Sequence, residues 1–330
     1  MNWLEKGWYQ GSFWLWLLAP LALVFWLLSA CRRWAYRQGL KKSCRVSAPV
    51  IVVGNITVGG TGKTPMVIRL CQWLRQQGYH PGVISRGYGG KAPHYPLTVA
   101  KDSNPRVVGD EPLLIRQHLP CPLVVDPDRV RGAQYLVEQH RCDVIVSDDG
   151  LQHYRLQRDI EIVVIDGQRR LGNGYLLPMG PLREGAWRLS QSDFVVVNGG
   201  TAKAGEHLMT LESGQLVNVK YPNQTRSLAS LNRPVMAVAG IGHPDRFFKL
   251  LESKGVRLSE ARAFSDHHPF CESDLPDDVV LMTEKDAVKC RPFARSQWWY
   301  LPVSAKLSEQ FKQQLLQRLK TNKRTKDAKR

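Results

Sequence analysis

Residues 50–65 read VIVVGNITVGGTGKTP. Val50 to Gly54 form a short apolar run with several β-branched residues, which predicts a strand buried on both faces. A glycine-rich turn follows, and Met66 to Trp73 then have the pattern of an amphipathic helix. A strand, a glycine loop and Gly62-Lys63-Thr64 in this order are typical of the phosphate-binding P-loop.

Phosphate binding explains why these residue types occur here. Gly59, Gly60 and Gly62 permit positive φ and let phosphate oxygens approach the backbone closely. The loop amides and the helix N-terminus offer positive partial charge to the β- and γ-phosphates. Lys63 adds a full charge, and the Thr64 hydroxyl is able to ligate Mg²⁺. The predicted phosphate-binding residues are Thr57, Val58, Gly59, Gly60, Thr61, Gly62, Lys63 and Thr64.

One position departs from the usual P-loop pattern, which begins with glycine where this chain has Thr57. The alternative is an ordinary glycine turn between a strand and a helix. The agreement of the residue string with its strand–loop–helix context favours a site for a nucleoside triphosphate.

Length and composition indicate a globular protein of about two domains. The chain has 330 residues, of which 43% are hydrophobic and 23% charged, so a sizeable core can form. Its 7 cysteines are dispersed and include no CxxC pair. Such a set is typical of reduced thiols in a cytosolic compartment and disfavours zinc ligation.

The net charge of +17 is concentrated in two short segments. Residues 32–45 contain six basic residues, and residues 318–330 contain seven basic residues and one acid, which together supply twelve of the net charges. This distribution favours contact with an anionic surface, either lipid headgroups or nucleic acid. No nucleic-acid recognition motif accompanies the basic segments, so we expect a membrane surface as partner and no nucleic acid.

The first 31 residues predict a membrane-associated helix. No charged residue occurs from Gly7 to Cys31, and Phe13 to Leu28 are almost all apolar. About 20 residues of helix span the ~30 Å hydrocarbon layer of a bilayer. Pro20 would kink a spanning helix, which leaves a shallow interfacial helix as an alternative. The basic cluster that follows predicts that the remaining chain stays in the cytoplasm.

Two other interpretations of this stretch are a signal peptide and a buried core helix. A signal peptide is disfavoured because Glu5 stands beside Lys6 and because Arg32 and Arg33 would oppose export. A core helix is disfavoured because six tryptophans among the first 34 residues fit a membrane interface better.

A second predicted strand is followed directly by acidic residues. Asp143 to Ser147 read DVIVS, and Asp148-Asp149-Gly150 follow directly. The C-terminal end of such a strand is where a Walker B aspartate holds Mg²⁺ beside a P-loop. The alternative is a pair of capping residues.

Repeated alternation of strands and helices predicts an α/β fold with a mostly parallel sheet and helices on both faces. His207 to Tyr221 alternate around Ser213-Gly214 like a hairpin, and Val235 begins a second strand–loop–helix unit. Trp298 to Val303 predict the last strand, and Leu307 to Leu319 the last helix. We expect residues 1–31 to form the membrane helix, 46–206 the P-loop nucleotide-binding domain, 207–233 a hairpin and linker, 234–319 a second, smaller α/β domain and 320–330 a mobile basic tail.

A series of short strings resembles one family, the tetraacyldisaccharide 4′-kinases of lipid A biosynthesis. In chain order the strings are TVGGTGKTP, SRGYGG, GDEP, SDDGLQHYRL, GPLRE, AGIGHP, DHH and MTEKDAVKC. The resemblance extends from the N-terminal apolar helix to about Val303. In that family Thr or Ser takes the place of the first P-loop glycine, so Thr57 is no departure from it. The basic tail after Leu319 is not a feature that the family requires.

The resemblance implies a kinase that moves the γ-phosphate of ATP to the 4′-hydroxyl of a lipid disaccharide 1-phosphate. It implies Mg²⁺ as a cofactor and association with the cytoplasmic face of the inner membrane. It also implies a P-loop α/β domain joined to a smaller α/β domain, with the active site in the cleft. No obligate protein partner is evident from the sequence.

Residue roles follow from the same resemblance. Asp148 and Asp149 match the acidic metal and catalytic pair, and Glu111 and Glu184 match acidic positions near the metal. Asp110 of GDEP and His267 of DHH match an Asp–His pair that assists the attacking hydroxyl, and a sugar hydroxyl does need a proton acceptor within reach. The expected catalytic residues are Asp110, His267, Lys63 and Asp148, and the expected metal-associated residues are Thr64, Asp149, Glu111 and Glu184.

A different class fits the P-loop alone, namely the membrane-associated partitioning or positioning ATPases, which act as interaction switches. Their signature is K-G-G-x-G-K-[ST]. Its first lysine falls at Val58 here, which disfavours that class.

Overall fold

The computed structural model describes residues 3–327, with side chains described as far as Asn322. Within this part of the chain the strands form one sheet of nine strands and one of six. The helices are α1 (Trp3–Gln10), α2 (Ala19–Arg37), α3 (Lys63–Gln76), α4 (Pro105–Val108), α5 (Asp110–His118), α6 (Arg129–His140), α7 (Trp187–Ser190), α8 (Pro244–Ser253), α9 (Glu284–Cys290) and α10 (Glu309–Asp327). Short 3₁₀ segments are Phe13–Leu18, Leu228–Ser230, Glu272–Asp274 and Arg291–Phe293.

The strands alternate with these helices along the chain. They are β1 (Val50–Gly54), β2 (Pro81–Ser85), β3 (Leu97–Thr98), β4 (Leu123–Val125), β5 (Val144–Asp148), β6 (Ile160–Asp166), β7 (Phe194–Asn198), β8 (Glu206–Ser213), β9 (Leu216–Asn218), β10 (Thr225–Arg226), β11 (Val235–Ala239), β12 (Leu258–Ala263), β13 (Val280–Thr283), β14 (Trp298–Leu301) and β15 (Val303–Leu307).

The larger sheet places the P-loop strand at its centre. Its strand order is β15-β8-β7-β6-β1-β5-β2-β4-β3. Strand β1 runs parallel to both of its neighbours, with Val53 opposite Asp148 of β5. Because parallel strands end at the same edge of a sheet, the P-loop and the Asp148-Asp149 pair emerge side by side.

Helices cover both faces of this sheet, which explains why every residue of β1 is buried. On one face α3, α5 and α10 pack through side chains such as Leu70, Ile115 and Phe311. On the other face α6 packs through Ala133 and Leu136. The predicted α/β class with a mostly parallel sheet is confirmed.

The smaller sheet has the order β10-β9-β14-β13-β11-β12. Strands β12, β11, β13 and β14 are parallel, while β9 and β10 run antiparallel to their neighbours. Helix α8 packs on one face through Phe247 and Leu251, and α9 packs on the other through Ala287. The sheet therefore has the same layered construction as the larger one.

The predicted hairpin around Ser213-Gly214 is wrong. Strand β8 pairs with β7 and β15 in the larger sheet, whereas β9 pairs with β14 and β10 in the smaller one. An alternating pattern shows that a strand has one buried face, but it does not identify the strand's partner. The Gly214 amide donates to the Pro302 carbonyl at 3.0 Å, so the chain passes between the sheets twice at neighbouring points.

The C-terminal segment also returns to the larger sheet. The predicted last strand is two strands, β14 and β15, one in each sheet. The last helix runs on to Asp327, beyond its predicted end at Leu319 and through most of the predicted mobile tail. Residues 328–330 of that tail lie outside the described residues. The ranges predicted for the domains stay a prediction. The division of strands between the two sheets does not follow those ranges, because β15, near the C-terminus, belongs to the larger sheet.

The N-terminal segment is helical and mostly exposed. Among the described residues, one helical stretch, Phe13–Arg37, is long and apolar enough to cross a membrane, and 11% of its most apolar window is buried in the protein. Pro20 stands in the first turn of α2, where a missing N–H is tolerated, and not inside a continuous helix as predicted.

Candidate active site

A cavity of about 750 Å³ opens between the two sheets. Residues 59–65 line it from the larger sheet, and loop residues 241–243 with Lys285 line it from the smaller one. His267 and Tyr88 contribute further to the wall, with their ring centroids 5.0 Å apart. The cavity therefore brings strings that are far apart in the sequence to one place.

Two of the three P-loop glycines named above, Gly59 and Gly62 but not Gly60, adopt positive φ. Gly59 and Gly62 have φ of +97° and +94°, and Gly62 caps the start of α3. The Asn198 side-chain amide donates to the Thr61 carbonyl at 3.0 Å. A Cβ at Gly62 would lie 2.2 Å from Asn198 Nδ2, so this packing requires glycine.

A loop of the smaller sheet covers the P-loop. A Cβ on Gly242 would lie 2.5 Å from the Gly60 nitrogen, so the two loops approach closely through glycine. Arg246 of α8 donates to Asn198 Oδ1 at 2.7 Å. Asn198 thus connects the phosphate-binding loop to a helix of the smaller sheet.

Asp148 and Asp149 occupy different environments at the end of β5. Asp148 is 1% exposed, accepts a hydrogen bond from Ser85 Oγ at 3.1 Å, and has its Oδ1 buried without a hydrogen-bond partner among the described residues. Asp149 lines the cavity and has a φ of 46°. Its carboxylate lies 3.7 Å from Lys63 Nζ and 3.3 Å from Arg183 NH1.

The two carboxyl groups have pKa values shifted in opposite directions. Burial, followed by the charges of Glu111 and Asp149, raises the pKa of Asp148 to about 7. Burial acts in the same direction on Asp149, but the charges of Lys63 and Arg183 outweigh it and lower the pKa of that carboxyl. Asp149 is therefore the charged member of the pair at neutral pH. Asp148, with a pKa of about 7, is protonated in part of the molecules at that pH.

Asp110 and His267 form a hydrogen-bonded pair across the cleft. His267 Nδ1 lies 3.0 Å from both oxygens of Asp110. Asp110 begins α5 and is 5% exposed, whereas His267 lines the cavity. Burial works to lower the pKa of His267, but the hydrogen bond to Asp110 outweighs it and the pKa is raised. The geometry is that of a histidine oriented by a carboxylate behind it.

Lys285 joins this pair from α9. Its Nζ lies 2.9 Å from Glu111 Oε1, 3.1 Å from Asp266 Oδ1 and 3.3 Å from His267 Nε2. An ammonium group has donors only, so His267 Nε2 accepts from Lys285 and the Nδ1–H donates to Asp110. Burial works to lower the pKa of Lys285, but the charges of Glu111, Asp110 and Asp266 raise it.

Five predicted site residues do not line the cavity, namely Thr57, Val58, Asp110, Asp148 and Glu184. Asp110 and Asp148 are buried directly beside the lining residues His267 and Asp149. The Val58 amide donates to the Pro181 carbonyl at 2.9 Å, and Thr57 is buried and bridged to Leu182. Glu184 is 2% exposed and accepts hydrogen bonds from Tyr154 and, at 3.0 Å, from Arg188. Its carboxylate already has partners, so the predicted metal role of Glu184 is not supported by its surroundings. Thr57 and Val58 support the loop from behind, and Gly59–Thr64 face the cavity.

The sequence assigned no role to several residues that the cavity brings together. They are Arg183 beside Asp149, Asn198 and Arg246 behind the P-loop, and Lys285 beside His267. Arg183 and Lys285 lie within the strings GPLRE and MTEKDAVKC, which was the available signal. Asn198 ends an apolar strand and carries no local pattern.

The donor groups in the cavity suit a Mg²⁺ ion held with a nucleotide. Among residues 3–327, no group of three or more His, Cys, Asp and Glu has the arrangement of a metal site formed by protein alone. Mg²⁺ in phosphoryl-transfer sites usually takes one or two protein ligands and fills its other positions with phosphate oxygens and water. The Thr64 hydroxyl and the Asp149 carboxylate meet this need. Asp148, the residue before Asp149, has a buried Oδ1 with no hydrogen-bond partner among the described residues.

Comparison with known sequences gives matches over nearly the whole chain. The family model described as Tetraacyldisaccharide-1-P 4'-kinase matches residues 14–320. The Tetraacyldisaccharide 4'-kinase of Pseudoalteromonas atlantica is 60% identical over 304 residues, which cover 92% of this chain and 100% of that protein. The protein of the same name from Tolumonas auensis is 53% identical over 321 residues, covering 96% of this chain and 97% of that protein.

Comparison with solved structures gives the same fold. The crystal structure of the "apo" form of LpxK from Aquifex aeolicus in complex with ATP superposes with a TM-score of 0.76 at 27% identity. The match covers 92% of this chain and 99% of that one. The two-sheet architecture described here is therefore found in a protein that was crystallised with ATP.

Proposed function

The chain belongs to the tetraacyldisaccharide-1-phosphate 4′-kinase family, and from this membership we infer that it transfers the γ-phosphate of ATP to the 4′-hydroxyl of a tetraacyldisaccharide 1-phosphate. The reaction belongs to lipid A biosynthesis. The observation that carries this conclusion is that one cavity is lined both by the P-loop and by His267, which is hydrogen-bonded to the buried Asp110. The loop suits the nucleotide donor, and the pair suits a hydroxyl acceptor.

We assign the donor side to residues 59–64. Phosphoryl transfer passes through a loose transition state, so catalysis consists mainly of positioning and of neutralising negative charge. The amides of the loop and the start of α3 hold the phosphates, and Lys63 supplies a full positive charge. Arg183 lines the same end of the cavity and adds a second cation, which the sequence did not predict.

We assign the metal to Thr64 and Asp149, with Asp148 beneath them. When bound there, Mg²⁺ supplies further neutralisation of the charge on the transferring phosphate. Asp149 has the lowered pKa that a metal-binding carboxylate needs, because it must be ionised to act as a ligand. Glu111 lines the cavity too, and it becomes a ligand only by exchanging its bond to Lys285 for one to the metal.

We assign proton acceptance to the Asp110–His267 pair. His267 faces the cavity, and its Nε2 is the ring atom that offers a lone pair there. Asp110 holds the opposite nitrogen and stabilises the imidazolium that forms when the hydroxyl loses its proton. Lys285 gives up its bond to Nε2 when the sugar hydroxyl arrives.

The N-terminal stretch supports a proposal for the location of the protein. We propose attachment to the inner membrane at its cytoplasmic face, because an exposed apolar helix is followed by a cluster of basic residues. The substrate carries acyl chains and is itself held in a membrane. The cavity thus takes ATP from the cytoplasm and the lipid from the membrane surface, with no protein partner required by this scheme.

The test is to supply purified full-length protein with radiolabelled ATP, Mg²⁺ and tetraacyldisaccharide 1-phosphate in mixed micelles. We expect label from the γ-position to appear in the lipid, and no transfer to a lipid whose 4′-hydroxyl is blocked. Release of free phosphate that does not depend on the lipid, without lipid labelling, would instead indicate the ATPase-switch class.

A further inference from the structure

Helix α1 has one face docked on the body of the protein, although the segment that follows it is mostly exposed. Trp8 of α1 is 5% exposed, and it packs with Met179, which is 4% exposed, and with Leu15 of the following 3₁₀ segment, which is 2% exposed. Phe13 and Leu17, close by in the chain, are 87% and 81% exposed. A helix that served only to enter a membrane would have no need of this buried face.

Trp8 makes the most specific of these contacts. Its indole Nε1 donates to the Pro178 carbonyl at 3.0 Å, so both the ring and its polar atom have partners. The contacted loop, residues 172–183, is part of the segment between β6 and α7.

The same loop holds the P-loop from behind. The Pro181 carbonyl accepts the Val58 amide at 2.9 Å, and the Arg183 amide donates to the Ile56 carbonyl at 2.7 Å. The Val58 side chain packs against the hydrophobic cluster that contains Trp8. A continuous set of contacts therefore runs from α1 to the residue before Gly59.

A second route runs through Tyr9. The Arg169 guanidinium lies over the Tyr9 ring at 4.9 Å, and Arg169 NH1 donates to the Gly242 carbonyl at 3.1 Å. Gly242 is the residue that closely approaches Gly60 across the cavity. Gly172 permits the approach of Tyr9, because a Cβ there would lie 3.1 Å from its ring.

We propose that Trp8 and Tyr9 are positioning residues for the nucleotide site, and that docking of α1 sets the shape of the phosphate-binding loop and of the Gly242 loop that covers it. A glycine-rich loop loses much conformational entropy when it is ordered. If α1 already holds the loop in place, ordering the loop on binding costs less free energy, and the affinity for ATP is therefore higher. The inference rests on the proposed binding of ATP by residues 59–64.

The experiment measures the dissociation constant of ATP by calorimetry, and kcat and KM for both substrates, in the full chain in micelles. Trp8→Ala should weaken ATP binding about tenfold, with kcat at saturating ATP and the KM for the lipid little changed. Trp8→Phe, which keeps the ring packing and loses the bond to Pro178, should have an intermediate effect. Tyr9→Leu should also raise the KM for ATP.

Trp26→Ala is the matched control, because Trp26 is 48% exposed on α2 and belongs to the face that we assign to the membrane. It should leave the affinity for ATP unchanged. Wild-type affinity for ATP in both folded Trp8 variants would overturn the inference. If Trp8→Ala does not fold, Trp8→Phe and Tyr9→Leu decide the matter. Failure of the wild-type protein to bind ATP would count against the proposed function itself.

Discussion

Lys63 and Asp149 face each other at the phosphate end of the cavity, 3.7 Å apart. Lys63→Ala should lower kcat by about 10²-fold or more, because a charge on the transferring phosphate is then left without neutralisation. The measurement is the rate of lipid phosphorylation at saturating substrates. Arg75→Ala, in the exposed last turn of the same helix, is the control and should keep full activity. Near-normal turnover in Lys63→Ala would remove the P-loop from the mechanism.

The Asp110–His267 pair should behave as one unit. Asp110→Ala and His267→Ala should each lower kcat by about 10²-fold or more, because proton transfer from the hydroxyl loses its acceptor or its orientation. The double variant should be little worse than either single one, and ATP affinity and the Mg²⁺ response should stay close to wild type. Multiplicative losses, or loss of ATP binding in a single variant, would show that the pair has another role.

Substitution of Glu184 and of Asp149 should distinguish a carboxylate that stabilises the fold from one that binds the metal. Glu184→Ala leaves the buried Arg188 with the carboxylate of Glu161 but without that of Glu184, so the free energy of unfolding should fall by about 1–3 kcal/mol. The Mg²⁺ concentration for half-maximal activity should not change. Asp149→Ala should raise that concentration without a comparable loss of stability. An Mg²⁺ response that shifts in Glu184→Ala would restore the metal role that its contacts argue against.

Residues whose chemistry belongs to a short motif could be predicted from the sequence, and their supporting partners could not. Lys63 and Asp149 each stand in a local pattern that phosphate or metal binding explains. Asn198 supports the P-loop from a position 137 residues away from Thr61. A hydrogen bond across such a separation leaves no periodicity or spacing to detect. Lys285 was missed for the same reason, because its three partners lie on other elements.

At the scale of elements, α5 and α9 join the two sides of the cleft. Asp110 at the start of α5 pairs with His267, and His118 at its end lies 2.8 Å from Glu284 at the start of α9. The hydrogen bond to Glu284, which outweighs burial, raises the pKa of His118 above its usual 6.5. This bridge therefore stabilises the protein fully below pH 6.5, and its contribution is lost as pH rises through the raised pKa.

We propose to measure the melting temperatures of the wild type and of His118→Gln as a function of pH. The two proteins should differ in how the melting temperature depends on pH. Below pH 6.5 the wild type should be the more stable protein, and the difference should shrink as the pH rises above 6.5 through the raised pKa of His118. Glutamine keeps a donor near Glu284 but has no charge to lose. A difference between the two melting temperatures that is constant with pH would show that ionisation of His118 contributes nothing.

Element types were easier to predict than element partners. The buried pattern of Val50 to Gly54 specified a central strand, because a parallel sheet covered on both faces requires a continuous apolar run. Strands β8 and β9 were also recognised as strands, but their neighbours in the chain are not their neighbours in the sheets. The chain passes from one sheet to the other after β8 and again after β14, and the Gly214–Pro302 hydrogen bond joins these two connections. This contact depends on segments that lie far apart in the sequence.

At the scale of the whole molecule, we propose two functions for the N-terminal segment, membrane attachment and positioning of the nucleotide site, and a deletion should test both together. Removing residues 1–30 should move the protein from the membrane fraction to the soluble fraction, because the exposed apolar stretch is lost. ATP binding should persist, since the P-loop sits on a sheet with its own core. It should be about tenfold weaker, as in Trp8→Ala, because the same deletion removes the buried face of α1.

A second variant separates the two functions. Leu21→Ser, Leu23→Ser and Leu28→Ser together change side chains that are 58%, 64% and 66% exposed and leave Trp8 in place. We expect this protein to be released from membranes while its affinity for ATP stays at the wild-type value, and fractionation with calorimetry measures both. If the deleted protein still pelleted fully with membranes, the attachment would lie elsewhere, with the basic residues after Arg318 as the next candidate. If the leucine variant lost ATP affinity in parallel with membrane binding, insertion in the membrane, and not the docking of α1, would control the nucleotide site.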